Sequence, residues 1–221
     1  MHLNPDDGAK VAEAIKAAEA RTDGEISAIV AASSDSYNDV VLHWALLFAL
    51  LPLAVSAAWP RLIEWGASLI SPWEEPSLRF ILTLLLVKLI AAFLIARYVV
   101  GIRAIRLALT PAATKHRRVR RRALMLFRTG TEQRTLSTTG VLLYLSLAER
   151  RAEIVADAAI HAKAPQEEWG EAMAALVSAM RDNRPGDGMA AAIERIGAVL
   201  AQHFPRTGTD PNELPDRLIE L

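Results

Sequence analysis

The sequence predicts an α/β fold with two transmembrane helices inserted into it. Three observations carry that expectation. Short apolar runs, EISAIVAAS (Glu25–Ser33), VLLYLSL (Val141–Leu147) and AEIVAD (Ala152–Asp157), read as strands. Other stretches repeat apolar residues at helical spacing. Two long apolar runs, Val40–Ala58 and Leu78–Val100, lie in mid-chain between the first strand and the later two. The first strand has no partner before the apolar runs, so one sheet must be assembled from both sides of the insertion, with helices covering it. Residues 1–39 and 103–221 are then one split domain, and residues 40–102 an inserted hairpin.

Each element has its own signals. Residues 4–20 read as a helix. Asn4 suits the N-cap, Pro5 the first helical position, and Asp6 and Asp7 the positive end of the helix dipole. Val11, Ile15 and Ala18 form its apolar stripe, and Thr22-Asp23-Gly24 turns the chain into the first strand. VVLHWALLFALLPLAVSAA has 19 residues with one ionisable group, His43, and LRFILTLLLVKLIAAFLIARYVV has 23. About 20 apolar residues cross a bilayer core. Thr110-Pro111 opens a helix running to about Arg128, with Val119, Ala123, Leu124 and Phe127 on one face. Ala148–Arg151 (AERR) reads as a tight turn, making the last two strands a hairpin. Trp169, Met173, Leu176, Val177 and Met180 mark one following helix, and Ile193, Ile196, Leu200 and Phe204 a second. Residues 184–188 (RPGDG) separate them, and the tail TDPNELPDRLIEL reads as a loop with a short docking turn.

Charge is segregated although the formal net charge is zero. Residues 1–39 carry 3 basic and 8 acidic side chains, and residues 129–221 carry 9 and 14. Residues 103–128 carry 9 basic and no acidic ones. Lys/Arg bias near the spans therefore places both flanks in the cytoplasm. The connector Trp59–Ser77 holds Arg61 against Glu64, Glu74 and Glu75 and faces the exterior. Trp59, Trp65 and Trp73 suit an interfacial aromatic belt. The N-terminus shows no export signal, and the absence of cysteine excludes disulfides and thiolate zinc sites. Together these predict a multi-pass protein of the bacterial inner membrane with both termini cytoplasmic.

Several residues are candidates for function. Lys115, Arg117, Arg118, Arg120, Arg121 and Arg122 put six cations in eight residues just beyond the second span. Near an anionic leaflet each is worth about 1 kcal/mol, which favours lipid contact over a merely solvated face. Nucleic acid is disfavoured, because no aromatics are interleaved and the rest of the domain is acidic. Lys88 lies at mid-span, where a lysine costs roughly 2.5–3.5 kcal/mol. It is either a polar contact within an oligomer or to another membrane protein, or a lysine snorkelling to the interface. Asp35 and Asp39 follow the first strand, Asp157 closes the third, and all three have the oxygen chemistry for a divalent cation, although the turn and loop role of aspartate is the better account. Glu25 reads as a structural ion-pair residue. Catalytic patterns are missing: the five histidines are scattered, and no nucleophile elbow or phosphate-binding glycine loop occurs. Ser137, Thr138 and Thr139 offer hydroxyls without a recognisable base.

The run TGVLLYLSLAERRAEIVAD (Thr139–Asp157), Trp169, His203-Phe204-Pro205, Asn212–Pro215 (NELP) and the early AEARTDGEI (Ala18–Ile26) resemble the TPM domain family. The resemblance extends to its bacterial branch with a transmembrane hairpin inserted in the domain. It implies an α/β/α sandwich on a small mixed sheet. Relatives are linked to photosystem repair, to acid phosphatase activity and to receptor regulation, and some hold calcium. Two functions follow as expectations: a membrane protein displaying the domain for protein or lipid interaction, or a metal-dependent phosphatase-like hydrolase. Ala158 follows Asp157 where the family usually has glycine, so an altered backbone is expected there.

Overall fold

The structure is a computed structural model that describes residues 4–70, 72–73, 75–130, 139–164, 166–207 and 217–221. Glu74, Ser137, Thr138 and the Asn212–Pro215 motif lie outside the described residues. The chain forms two compact units, residues 1–35 with 112–221, and residues 36–111. By contacts, residues 103–111 group with the second of these units.

The first unit is built on a four-stranded sheet. Helix α1 (Pro5–Glu19) starts as its residues suggest, with the Asp7 carboxylate accepting from the Asn4 backbone N–H at 2.8 Å. Strand β1 (Glu25–Ala31) pairs in parallel with β2 (Gly140–Ser146), and β2 pairs antiparallel with β3 (Arg151–Ala156). Strand β4 (Leu218–Glu220) pairs in parallel with β1 on its other side, giving the order β3-β2-β1-β4. The sheet is mixed and draws its strands from both sides of the insertion.

Alternation along the strands sorts the core into two layers. Ile26, Ala28 and Val30 of β1, with Val141, Leu143 and Leu145 of β2, face Val11 and Ile15 of α1, Leu176 of α8 (Gly170–Arg181) and Ile193, Ile196 and Leu200 of α9 (Pro185–His203). Ile29 and Ala31, with Leu142 and Tyr144, face Val119, Ala123 and Phe127 of α6 (Ala112–Gly130). The result is an α/β/α sandwich. Where α1 meets α9 the helices approach closely: a Cβ on Gly197 would lie 2.5 Å from the Ala18 Cβ.

Three expectations need correction. The tail is not simply a loop and turn, because Leu218–Glu220 joins the sheet as β4. Two of its side chains are apolar, and backbone pairing to the exposed edge of β1 outweighs its short length. Residues 185–188 do not separate the last helices. They form the first turn of α9, with Pro185 at a position that needs no N–H donor. Finally, Ala158 requires no glycine-like backbone: it opens the short helix α7 (Ala158–Lys163), with Asp157 at the N-cap position and its carboxylate turned to the Gly140 N–H.

The second unit contains α2 (Asn38–Ala58), α3 (Pro60–Ile70), α4 (Leu78–Gly101) and α5 (Arg103–Leu109). Helices α2 and α4 are 21 and 24 residues long and apolar enough to cross a membrane. Of their most apolar stretches, 22% and 0% is buried within the protein, so they are not core helices of this chain. Leu46, Leu47 and Leu51 of α2, and Leu82, Leu86 and Leu94 of α4, remain exposed. Val41, Ala45 and Ala49 form the buried stripe of α2, where small residues let the two helices pack. Arg106 of α5 donates to the Asn38 side chain at 3.5 Å and ties the two ends of this unit together. The connector holds the unexpected amphipathic helix α3, with Ile63 and Ala67 buried.

Candidate functional site

Open sheets with parallel strands bind ligands beyond the carboxyl ends of those strands. At this end of β1 and β2 the structure gathers a polar cluster. Ser33 and Ser34 follow β1, Tyr144 and Ser146 lie in β2, and Glu149 sits in the turn to β3. Glu149 is 7% exposed. Its carboxylate accepts from the Ser33 hydroxyl and the Ser34 backbone N–H, both at 3.1 Å, and from the Ser146 hydroxyl. The Ser34 hydroxyl bonds Tyr144 and Ser146 at 2.9 Å each. Burial pushes the Tyr144 phenol above its ordinary pKa. Beside the cluster, Arg118 of α6 donates to Asp35 at 3.1 Å. The turn is sharp, with Arg150 at φ 50°.

The hydroxyls of Ser33, Ser34 and Ser146 are engaged with one another or with Glu149, so the cluster works as a clasp between strand ends rather than as a free nucleophile. Sequence reasoning missed it. Its two halves, Ser33–Ser34 and Tyr144–Glu149, are separated by more than 100 positions, and only the parallel pairing of β1 with β2 brings Ser34 to Ser146. The strand-end serines and the glutamate in the AERR turn were the available signals.

The three aspartates do not form one site. Asp157 Oδ2 accepts from the Gly140 backbone N–H at 2.7 Å, and the Asp157 N–H donates to the Gly140 carbonyl at 3.0 Å. That fixes Asp157 at the start of β2. Asp35 lies by the opposite end, a strand length of about 20 Å away. Asp39 belongs to the second unit, in the first turn of α2, where its backbone carbonyl accepts from His43. Expecting Asp35 and Asp157 to converge failed because β3 runs antiparallel, so its C-terminus meets the beginning of β2. Among the described residues no other group of three acids or histidines converges.

The basic run on α6 divides. Arg117, Arg120 and Arg121 are exposed and, with Arg128, lie on one helical face at i, i+3, i+4 and i+11. Lys115, Arg118 and Arg122 are half-buried. On the sheet side, His116 stands 3.1 Å from Glu153 of β3. Burial pushes the Glu153 carboxyl above its usual range, partly offset by His116.

In the second unit, Lys88 lines a cavity of about 550 Å³ among α2, α3 and α4. Its ammonium lies 3.3 Å from where a Cβ on Gly66 would stand. It therefore points toward α3, and the missing side chain at Gly66 makes room for it.

Residues 104–199 match the family model of the TPM domain. This stretch of the chain carries a TPM domain. The match runs from α5 into α9 and leaves out α1, β1 and β4. A solved structure, the NMR structure of BA42 protein from the psychrophilic bacterium Bizionia argentinensis, is similar with a TM-score of 0.58 and 16% sequence identity. The similarity covers 100% of this chain and 97% of that one, and it is a likeness of fold. A comparison with curated proteins gives no match. Three of the described residues that carried the resemblance have structural roles. Trp169 is in the core, His203 Nε2 lies 2.9 Å from Glu168, and Pro205 bridges to Thr22.

Proposed function

We propose that the protein is an integral protein of the bacterial inner membrane that presents its TPM domain at the cytoplasmic face as an interaction module. The observation that supports this most is the pair of long apolar helices left uncovered by the rest of the chain. Each large apolar side chain exposed to water forfeits about 1.5–3 kcal/mol, so a bilayer is the natural cover for this surface. Two spans return the chain to the side it left, as a sheet with strands from both flanks requires. Only the short helix α5 separates α4 from α6 along the sequence, so the Arg117–Arg120–Arg121 face is suited to anionic headgroups. Other membrane proteins, or a second copy, are further partners, with Lys88 as a polar contact.

Reconstitution tests the lipid part. In bilayers containing phosphatidylglycerol, the α6 arginines should be shielded from chemical modification, and replacing Arg117, Arg120 and Arg121 with glutamine should leave no difference from phosphatidylcholine bilayers. Equal modification of the native protein in both lipids would refute the contact.

A second reading is a metal-dependent phosphatase-like hydrolase. The Asp35–Arg118 pair beside the serines at the strand ends favours it, an acid and a cation where a phosphate and a divalent ion such as calcium would meet. Purified protein should then hydrolyse a generic phosphomonoester and lose that activity in Asp35→Ala. Activity unchanged by that substitution removes the proposed site.

A further inference from the structure

The outer side of β3 borders a groove that neither reading uses. It encloses about 570 Å³. Ala152 and Ile154 form its floor. Trp169, Met173, Val177 and Met180 form one wall, ahead of and along α8. Its rim carries His116, Arg150, Arg151 and Arg181. Glu153 is the single acid among the described lining residues, and His116 already faces it at 3.1 Å.

We propose that this groove binds an extended acidic–apolar peptide segment of a partner protein, which adds to the sheet as a strand beside β3. Four features select that occupant. First, β3 ends the strand order among the described residues, which leaves its outer edge for pairing. The Asp157 N–H donates to Gly140 across the β2–β3 pair, and alternation then turns the backbone groups of Ala152, Ile154 and Ala156 outward. Second, the groove is lined from both faces of the sheet, by α8 residues on one side and His116 of α6 on the other. An added strand would send alternate side chains to each. Third, the α8 side is apolar and contains two methionines, which adapt to varied side chains. The rim is cationic, so acidic residues complement it. Fourth, the indole N–H of Trp169 is buried without a hydrogen-bond partner among the described residues. A lipid headgroup would satisfy the rim but leave the strand edge unpaired.

The proposal rests on the interaction reading only in treating the domain as a binding module. It concerns a different surface from the exposed face of α6.

Full-length protein in neutral phosphatidylcholine nanodiscs provides the test. The probe is a fluorescent peptide alternating valine and glutamate. Two controls alternate valine with lysine, or carry proline at every second position so that strand pairing is blocked. Micromolar binding is expected for the first peptide, weakened at least tenfold in either control and in R151E/R181E. Hydrogen exchange on the native protein should slow at the amides of Ala152 and Ile154 when the peptide is added. This readout is independent of how well the variant folds.

Equal binding of the proline peptide, or binding without slowed exchange at those amides, would overturn strand addition. No binding at millimolar peptide would overturn the proposal altogether. If phosphatidylglycerol vesicles displace the glutamate peptide and also bind through Arg151 and Arg181, the groove is a lipid site and the peptide proposal fails. None of these outcomes alters the lipid-dependent shielding of Arg117, Arg120 and Arg121, so the two ideas fail separately.

Discussion

Glu149 shows how a buried charge is kept. A carboxylate in the interior is costly unless its oxygens are bonded, and three donors meet this one. Glu149→Ala would strand the Ser34 N–H and the Ser146 hydroxyl, while the Ser33 hydroxyl keeps the Asp35 carbonyl at 3.0 Å, so a loss of about 2–4 kcal/mol of unfolding free energy is expected in denaturant titrations. Glu149→Gln keeps an acceptor and should lose less. Asp23 illustrates a pH effect at the surface. Its carboxylate accepts from the Thr207 backbone N–H at 2.9 Å and from the Thr207 hydroxyl at 2.6 Å, and these bonds hold its pKa below the ordinary aspartate value. A lowered folded pKa means that this tie contributes fully above the unfolded value near 4 and is lost as pH falls through the folded one. Exchange protection of the Thr207 amide should therefore persist through pH 4 and fall only in stronger acid, whereas Asp23→Ala should abolish it at every pH. Unchanged protection in that variant would show the tie to be irrelevant.

Among the elements, α1 and α9 depend on near contact of their backbones. Gly197→Leu would force a side chain into the space held by Ala18, and overpacking of this kind costs about 1–3 kcal/mol. Thermal unfolding should register it as a lowered midpoint, and an unchanged midpoint would mean that the helices can slide apart freely. Elements with a strong period were legible from the residues alone: α1, β1, β2, β3, α8 and the body of α9 stand where apolar spacing put them. Those defined by long-range pairing were not. Strand β4 is three residues beside two prolines, and nothing local distinguishes it from a docking turn. Helix α3 was hidden in a connector read for its charges and interfacial tryptophans, although its Ile63 and Ala67 are four apart. The candidate site was the least legible of all. Asp35, Asp39 and Asp157 were grouped because each follows a strand. Yet the direction of β3, which no side chain announces, decides that Asp157 caps one end of β2 while Asp35 borders the other.

At the scale of the whole molecule, the sheet can be completed only when the chain leaves it after β1 and comes back for β2. The Asp35–Arg118 contact brings the exit within reach of α6, whose first residue lies about 9 Å up the helix from Arg118. Replacing residues 36–111 with a flexible linker of about eight residues should therefore yield a soluble domain with a cooperative unfolding transition, and a molten product would show that the inserted unit is needed for folding. The orientation of the inserted unit is the claim on which the functional proposal depends. The chain contains no cysteine, so single cysteines report position without background. Cells producing either Ser68→Cys, in the connector helix, or Arg128→Cys, on the exposed face of α6, can be treated with a membrane-impermeant maleimide. Labelling of Cys at position 68 in intact cells, with position 128 labelled only after permeabilisation, is the expected result. The reverse pattern, or equal labelling of both in intact cells, would contradict a hairpin that holds the TPM domain in the cytoplasm.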